Sequence, residues 1–303
     1  MKDRIFDLRY EYFKDAFGKK KASLFSVFSK KICLPCFEIP ITTICTLRCK
    51  NCSNLIQYYD KPYHVNNDDM VSDIEKFISA IDKIGCVRIL GGEPILSPAL
   101  PKILNILIDS CKVDNILIVT NGTLLFCDDA IEIIKKSNKI KISISNYGDN
   151  SKKLKELEEQ LCKHRIKFEV RNVTWRDKAE IIQNNLTERE LSNFFEVCPN
   201  KFFSLLNGKI YICPKSAHAS DLGLIETEHY VDIRNENSRK EIRRQLVSLV
   251  DSRYVELCKY CNEHNIENLD IVISGEQCSR EEALNRLENI KKNIISKKDN
   301  YNE

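Results

Sequence analysis

The chain has 303 residues, 43% of them hydrophobic and 30% charged, with a net charge of +3. That is the profile of a soluble globular protein of one large domain or two. The charge is too small to argue for a nucleic-acid partner, and no run reaches the ~18 uninterrupted apolar residues of a membrane span. No apolar stretch of signal-peptide length follows the charged first residues, so the cytoplasm is the expected compartment. Thiols stay reduced there, which makes the 14 cysteines metal ligands or core residues rather than disulfides.

Within residues 1–35, Ile5, Leu8, Tyr12, Phe13 and Phe17 recur at roughly helical spacing beside the run Lys19-Lys20-Lys21. This predicts an amphipathic helical extension packed on the body, with a membrane-surface or acidic-partner role as the alternative. A strand from Phe37 to Thr42 then runs into a cysteine loop. Val71, Ile74, Phe77, Ile78 and Ile81 mark one helix face, started by Ser72 or by Asn66-Asn67-Asp68. Strands follow at Cys86 to Leu90, Asn115 to Val119, Lys139 to Ser145 and Lys167 to Val173. Helices at Pro98 to Cys111, Asp129 to Lys136 and Ser151 to His164 alternate with them. Such alternation predicts an α/β fold with parallel strands, a barrel or a doubly wound sheet. Turns carrying Gly91-Gly92, Thr120-Asn121-Gly122 and the cysteines fall at strand ends, where a barrel gathers its chemistry on one rim. After about residue 190 the pattern changes. Leu205 to Cys213 predicts a hairpin around Asn207-Gly208. A polar, irregular stretch follows, then a helix over Arg239 to Val250, the pair Cys258-Lys259-Tyr260-Cys261, and a helical tail from Ser279.

Cys45-Thr46-Leu47-Arg48-Cys49-Lys50-Asn51-Cys52 offers three thiols in eight residues. Cys33 and Cys36 with Cys49 and Cys52 have the spacing of a structural zinc site. Against that reading, an apolar strand lies between the pairs and Cys45 is left over. Alternatively, three thiolates hold an iron–sulfur cluster and leave one iron open, where a cofactor can bind.

The Cys45-x3-Cys49-x2-Cys52 spacing after the first strand resembles the signature of the radical S-adenosylmethionine (SAM) enzymes. Arg88-Ile89-Leu90-Gly91-Gly92-Glu93-Pro94 at the next strand end resembles a second element of that family, and Thr120-Asn121-Gly122 and Ile142-Ser143-Ile144-Ser145 two more. The resemblance covers roughly residues 36–175. It implies a partial (β/α)6 barrel over 36–190 with a [4Fe–4S] cluster on Cys45, Cys49 and Cys52. It also implies SAM contacts from Gly91, Gly92 and Glu93 to the amino group, and from Asn121 and Ser143 to the ribose and carboxylate. Asn51 stands where the family often has an aromatic residue near the adenine; its amide would meet the adenine edge instead. SAM on the open iron would be cleaved by one electron, supplied by a flavodoxin or ferredoxin. The 5′-deoxyadenosyl radical so formed would abstract a hydrogen atom.

Cys198, Cys213, Cys258 and Cys261 form a second set. A closed zinc site is one reading. By resemblance to a twitch/SPASM-like auxiliary domain over 191–278, followed by a helix and tail over 279–303, they would hold a second [4Fe–4S] cluster. Such a cluster accepts an electron, which implies dehydrogenation of a hydroxyl-bearing carbon in a sugar, cyclitol or nucleotide-linked substrate. A peptide or protein maturase or epimerase is an alternative, and so is a zinc-stabilised binding protein without catalysis. Arg171 and Tyr147 are the catalytic candidates, with Tyr58, Tyr59 and His218 as further rim candidates. Trp175 reads as packing, with a wall of the substrate pocket as the alternative. Cys33, Cys36, Cys86, Cys111, Cys127, Cys162 and Cys278 read as small core residues, the Cys33–Cys36 pair also as a redox candidate.

Overall fold

The computed structural model describes residues 25–26, 31–172, 174–236 and 238–298. Most of the helical extension expected over 1–35 lies outside the described residues. Its last part is strand instead: β1 (Phe25–Ser26) pairs antiparallel with β2 (Lys31–Pro40).

Four crossovers follow: α1 (Asn67–Ala80), β3 (Lys83–Leu90), α2 (Leu100–Asp109), β4 (Val113–Thr120), α3 (Asp128–Lys135), β5 (Ile140–Asn146), α4 (Leu154–Lys163) and β6 (Phe168–Asn172). β2 to β6 pair in chain order and all run parallel. Side chains alternate across a strand, so one face carries Phe37, Ile39, Val87, Ile89, Ile116, Ile118, Ile142 and Ile144, all buried. The helices cover this face. Phe77 of α1 stacks on Phe37 with ring centroids 4.1 Å apart, and α2 buries Ile103, Leu104 and Leu107. α1 starts at the Asn66 cluster rather than at Ser72: Asn66 Oδ1 accepts from the amides of Asp68 and Asp69 at 3.0 and 3.1 Å, a cap worth about 1 kcal/mol.

Beyond β6 come β7 (Trp175–Arg176), α5 (Glu188–Val197), β8 (Phe203–Leu206), β9 (Lys209–Tyr211), α6 (Pro214–Asp221), β10 (Tyr230–Asp232), α7 (Arg239–Val250), β11 (Ile271–Val272) and α8 (Arg280–Lys298). β8 lies parallel on the free side of β2, with Phe37 opposite Phe203 and Glu38 opposite Ser204. It is the sixth parallel strand of a mixed α/β fold, and it comes from beyond residue 190. The hairpin β8–β9 turns at Asn207 (φ 48°) and Gly208 (φ 74°), as the Asn-Gly pair predicts, because both positions need positive φ. With β10 it extends the sheet to β10-β9-β8-β2-β3-β4-β5-β6. No described helix is long and apolar enough to cross a membrane.

Candidate active site

The second face of β2 to β6 is mixed: buried Leu34, Ile84 and Leu117 share it with charged and polar side chains. Glu38 stands in register with Arg88, and Ser143 with Glu169. Arg88 ion-pairs with Glu38, Lys141 Nζ lies 2.8 Å from Glu169 Oε2, and Ser143 Oγ donates to Glu169 Oε1 at 3.0 Å. Above them the strand ends bring the cysteine loop, Gly91-Gly92, Asn121, Tyr147 and Arg171 around one cavity of about 330 Å3.

The glycines of the second turn serve the cysteine loop directly. The Gly92 amide donates to Thr42 O at 2.7 Å and the Glu93 amide to Ile44 O at 2.9 Å. A Cβ on Gly91 or Gly92 would stand 2.1 Å from Thr42 O or Ile44 O, and Gly91 has φ +140°. Only residues without a Cβ let the two backbones zip together here. Both glycines also line the cavity.

Cys45, Cys49 and Cys52 all line that cavity. Burial pushes Cys45 and Cys49 up to about 12 and raises Cys52 as well; mutual repulsion adds to the shift at Cys45 and Cys49. Thiolates so placed need a cation to hold them, which is what a metal does. Two side-chain amides already point at the sulfurs: Asn121 Nδ2 lies 3.5 Å from Cys45 Sγ, and Gln277 Nε2 lies 3.4 Å from Cys49 Sγ.

Other expected cofactor contacts sit elsewhere. Glu93 is fully buried and spends Oε2 on the Asn121 amide (2.8 Å) and Oε1 on the Ile95 amide (3.2 Å). Burial pushes it up to about 7. It braces two strand ends from behind the cavity. Ser143 is turned to Glu169, one layer too deep; Ser145 is the serine of β5 that lines the cavity. Asn51 faces away, with its Oδ1 accepting from Arg286 Nη1 of α8 at 3.2 Å.

Arg171, Tyr147 and Trp175 all line the cavity, and Trp175 meets Tyr147 edge-on, centroids 5.3 Å apart. Burial lowers Arg171 and raises Tyr147. His218 and Tyr59 lie outside the cavity and share a buried network instead: Tyr59 Oη is 3.0 Å from His218 Nδ1 and donates to Asp221 Oδ2 at 2.8 Å. Tyr58 is buried without a partner for its hydroxyl.

Cys198, Cys213, Cys258 and Cys261 surround a second void, and burial raises all four thiols, Cys198 and Cys258 up to about 12. Asn200, Lys215 and Glu263 line both this void and the first cavity, and so form the wall between them. Asn200 Nδ2 donates to Glu263 Oε2 at 2.6 Å, and Lys178 Nζ lies 3.1 Å from the same oxygen. Lys215 Nζ donates to the carbonyls of Lys178 and Glu180. Among the described residues no three Cys, His, Asp or Glu side chains converge on a point as a single metal ion requires. Cubane ligands bind separate irons and stand further apart. Cys33 and Cys36, three apart on β2, point to opposite faces; they join neither site and cannot pair with each other. Cys111, Cys127 and Cys162 are exposed rather than in the core.

Residues 39–184 match the Radical SAM superfamily and belong to it. The family's cofactors are a [4Fe–4S] cluster and SAM. The chain is 34% identical over 90 residues to GTP 3′,8-cyclase of Chlorobaculum tepidum, covering 29% of this chain and 26% of that protein. Against the probable GTP 3′,8-cyclase of Methanococcus vannielii it is 33% identical over 124 residues, covering 40% and 39%. It thus spans roughly a quarter to two fifths of these curated relatives. Similar solved structures include native anSMEcpe with bound AdoMet (TM-score 0.48, 13% identity, 88% of this chain and 99% of that one). Another is BtrN in complex with AdoMet and 2-DOIA (TM-score 0.44, 16% identity, 81% and 97%). The three cavity-lining thiols, with amides aimed at two of the sulfurs, fit a cluster that keeps one iron open.

Proposed function

We propose that the chain is a radical SAM oxidoreductase, with Cys45, Cys49 and Cys52 holding the SAM-binding [4Fe–4S] cluster and Cys198, Cys213, Cys258 and Cys261 a second, fully ligated one. The substrate is a hydroxyl-bearing sugar, cyclitol or nucleotide-linked molecule, and the net reaction is dehydrogenation. One observation carries this reading: the cavity lined by three thiols shares Asn200, Lys215 and Glu263 with a second void lined by four more. When bound, the two clusters and SAM supply a hydrogen-abstracting radical and a place for the electron that oxidation releases.

The chain's own residues do the rest. Gly91, Gly92 and Asn121 set the edge of the SAM site. Trp175 and Tyr147 close the cavity against water, and Tyr147, kept protonated by burial, donates a hydrogen bond. Arg171 stays a guanidinium and orients a hydroxyl or an anionic group; it does not serve as a base. Glu263 accepts the substrate proton, because it is the carboxylate in the wall. Proton and electron then leave at the same place. The segment beyond about residue 190 lends β8 to the barrel sheet and carries the second cysteine set; an electron-donating flavodoxin or ferredoxin belongs to the same proposal.

Anaerobic incubation with SAM and dithionite tests it. The expected result is 5′-deoxyadenosine and about eight irons per chain, four for each cubane. Four irons, or zinc in the second site, would remove the oxidative step. A second reading, cyclisation of a nucleotide, draws on the name of the relatives and on Arg88, Arg171, Lys178 and Lys215 lining the cavity. Arg88, Lys178 and Lys215 are already held by Glu38, Glu263 and backbone carbonyls, which favours the oxidative reading.

A further inference from the structure

The segment from Gly275 to Cys278 lies over the first cysteine loop as a strap. Cys49 and Gln277 form an antiparallel bridge. The Lys50 amide donates to Glu276 O at 2.7 Å, and the Cys278 amide to Arg48 O at 2.9 Å. The strap is fixed at its other end too: Asn150 Nδ2 donates to Gly275 O at 3.0 Å, and a Cβ on Gly275 would stand 2.6 Å from Tyr147 Cβ.

Within the strap the Gln277 amide has one possible orientation. Its Oε1 accepts from the Arg48 amide at 2.7 Å, and an N–H can only donate, so the oxygen must face Arg48. Nε2 is thereby aimed at Gly275 O (2.6 Å) and at Cys49 Sγ (3.4 Å).

We propose that Gln277 is a positioning residue that sets the reduction potential of the first cluster by donating an N–H to the Cys49 sulfur. The inference rests on the reading that Cys45, Cys49 and Cys52 hold a [4Fe–4S] cluster. Reduction adds negative charge that is shared onto the ligand sulfurs. A donor fixed on one of them favours the reduced form over the oxidised form and raises the potential, as outer contacts to metal ligands generally do. Gln277 stands 225 residues after Cys52 in the chain, and the strap, with Arg286 of α8 on Asn51, brings it to the loop.

Two variants of the full-length, anaerobically reconstituted protein test this. Gln277→Glu keeps an oxygen for the Arg48 amide and removes the donor. Gln277→Leu removes both. The midpoint potential of the first cluster is read by EPR-monitored redox titration without SAM, in a Cys213→Ala background so that one cluster reports. Each variant is expected to shift the potential downward, with a tenfold change in the reduced-to-oxidised equilibrium, or 59 mV for one electron. An unchanged potential in an iron-replete variant overturns the proposal. Loss of iron from both variants also overturns it, since that makes Gln277 a residue of cluster assembly. Absence of iron in the Cys213→Ala parent would instead refute the cluster reading itself.

Discussion

His218 makes the chain acid-sensitive at a definite place. It is fully buried in α6, with Nδ1 on Tyr59 and Nε2 without a hydrogen-bond partner. Burial pushes it down to about 4, with the Asp221 charge pulling the other way. Tyr59 and Tyr63 both reach the same Asp221, and Asn207 at the hairpin turn completes the network. A histidine whose folded value lies below the ordinary 6.5 binds its proton more readily in the unfolded chain. Stability is therefore fully present above pH 6.5 and is lost as pH falls from there towards 4. At 1.36 kcal/mol per unit, the 1.5 units between 6.5 and pH 5 amount to about 2 kcal/mol. At roughly 2 °C per kcal/mol for a chain of this size, Tm should fall by roughly 4 °C between pH 7 and pH 5 from this residue alone. Acid also attacks iron–sulfur centres, so the assay is a comparison of thermal melts of wild type and His218→Gln, both metal-free. The variant should melt lower at pH 7 but lose less between pH 7 and pH 5. Parallel pH profiles would show that His218 is not the group that titrates.

Four further substitutions separate the parts of the site. Cys45→Ala and Cys213→Ala should each lower iron from about eight to about four per chain; only the first should abolish 5′-deoxyadenosine formation, as measured by chromatography. Gly92→Ala drives a methyl into the Ile44 carbonyl, at the upper end of the roughly 1–3 kcal/mol of an overpacked site, and iron binding at the first site should fall with the Tm. Glu263→Gln should leave SAM cleavage intact and reduce oxidised product at least tenfold, with the loss unrelieved at saturating substrate. Equal loss of both activities would place Glu263 in the architecture of the wall instead.

How much of this was legible in the sequence depended on whether the signal was local. The β/α order, the Asn207-Gly208 turn and α7 were readable because periodicity, turn chemistry and caps act over a few residues. The cysteine loop was readable because three thiols at fixed spacing carry their own chemistry. α6 was not: its residues Pro214 to Ala219 are small or polar yet all buried, so no apolar stripe marks a face. Ser143 and Ser145 share a strand face, and only the depth of the cavity separates the deep serine from the lining one. The surroundings of Asn51 and Glu93 were not readable because their partners, Arg286 and the Asn121 amide, are set by tertiary packing. The wall of Asn200, Lys215 and Glu263 joins three distant segments, and none of the three residues stands out in its own context.

The buried charges on the inner face of β2 to β6, set among Leu34, Ile84 and Leu117, are not what a core built for stability alone would hold. Parallel barrels ordinarily fill this space with layers of branched apolar side chains. Here it holds the pairs Glu38–Arg88 and Lys141–Glu169, each at or below 13% exposed. Replacing such buried pairs by apolar residues of similar volume is often neutral or stabilising by about 1–4 kcal/mol, whereas removing one partner costs about 3–5 kcal/mol. Glu38 and Arg88 line the floor of the cavity, below the strand ends that carry the cysteines and Arg171, and Lys141–Glu169 lies one layer beneath. β8 adds to the same sheet beside Glu38, so the hairpin that leads to Cys213 is registered to that floor through backbone hydrogen bonds. The hairpin that leads to Cys213 is thus joined to the strand that leads to Cys45 by a continuous sheet rather than by a linker, which is the rigidity that the proposed electron transfer between the two sites would need.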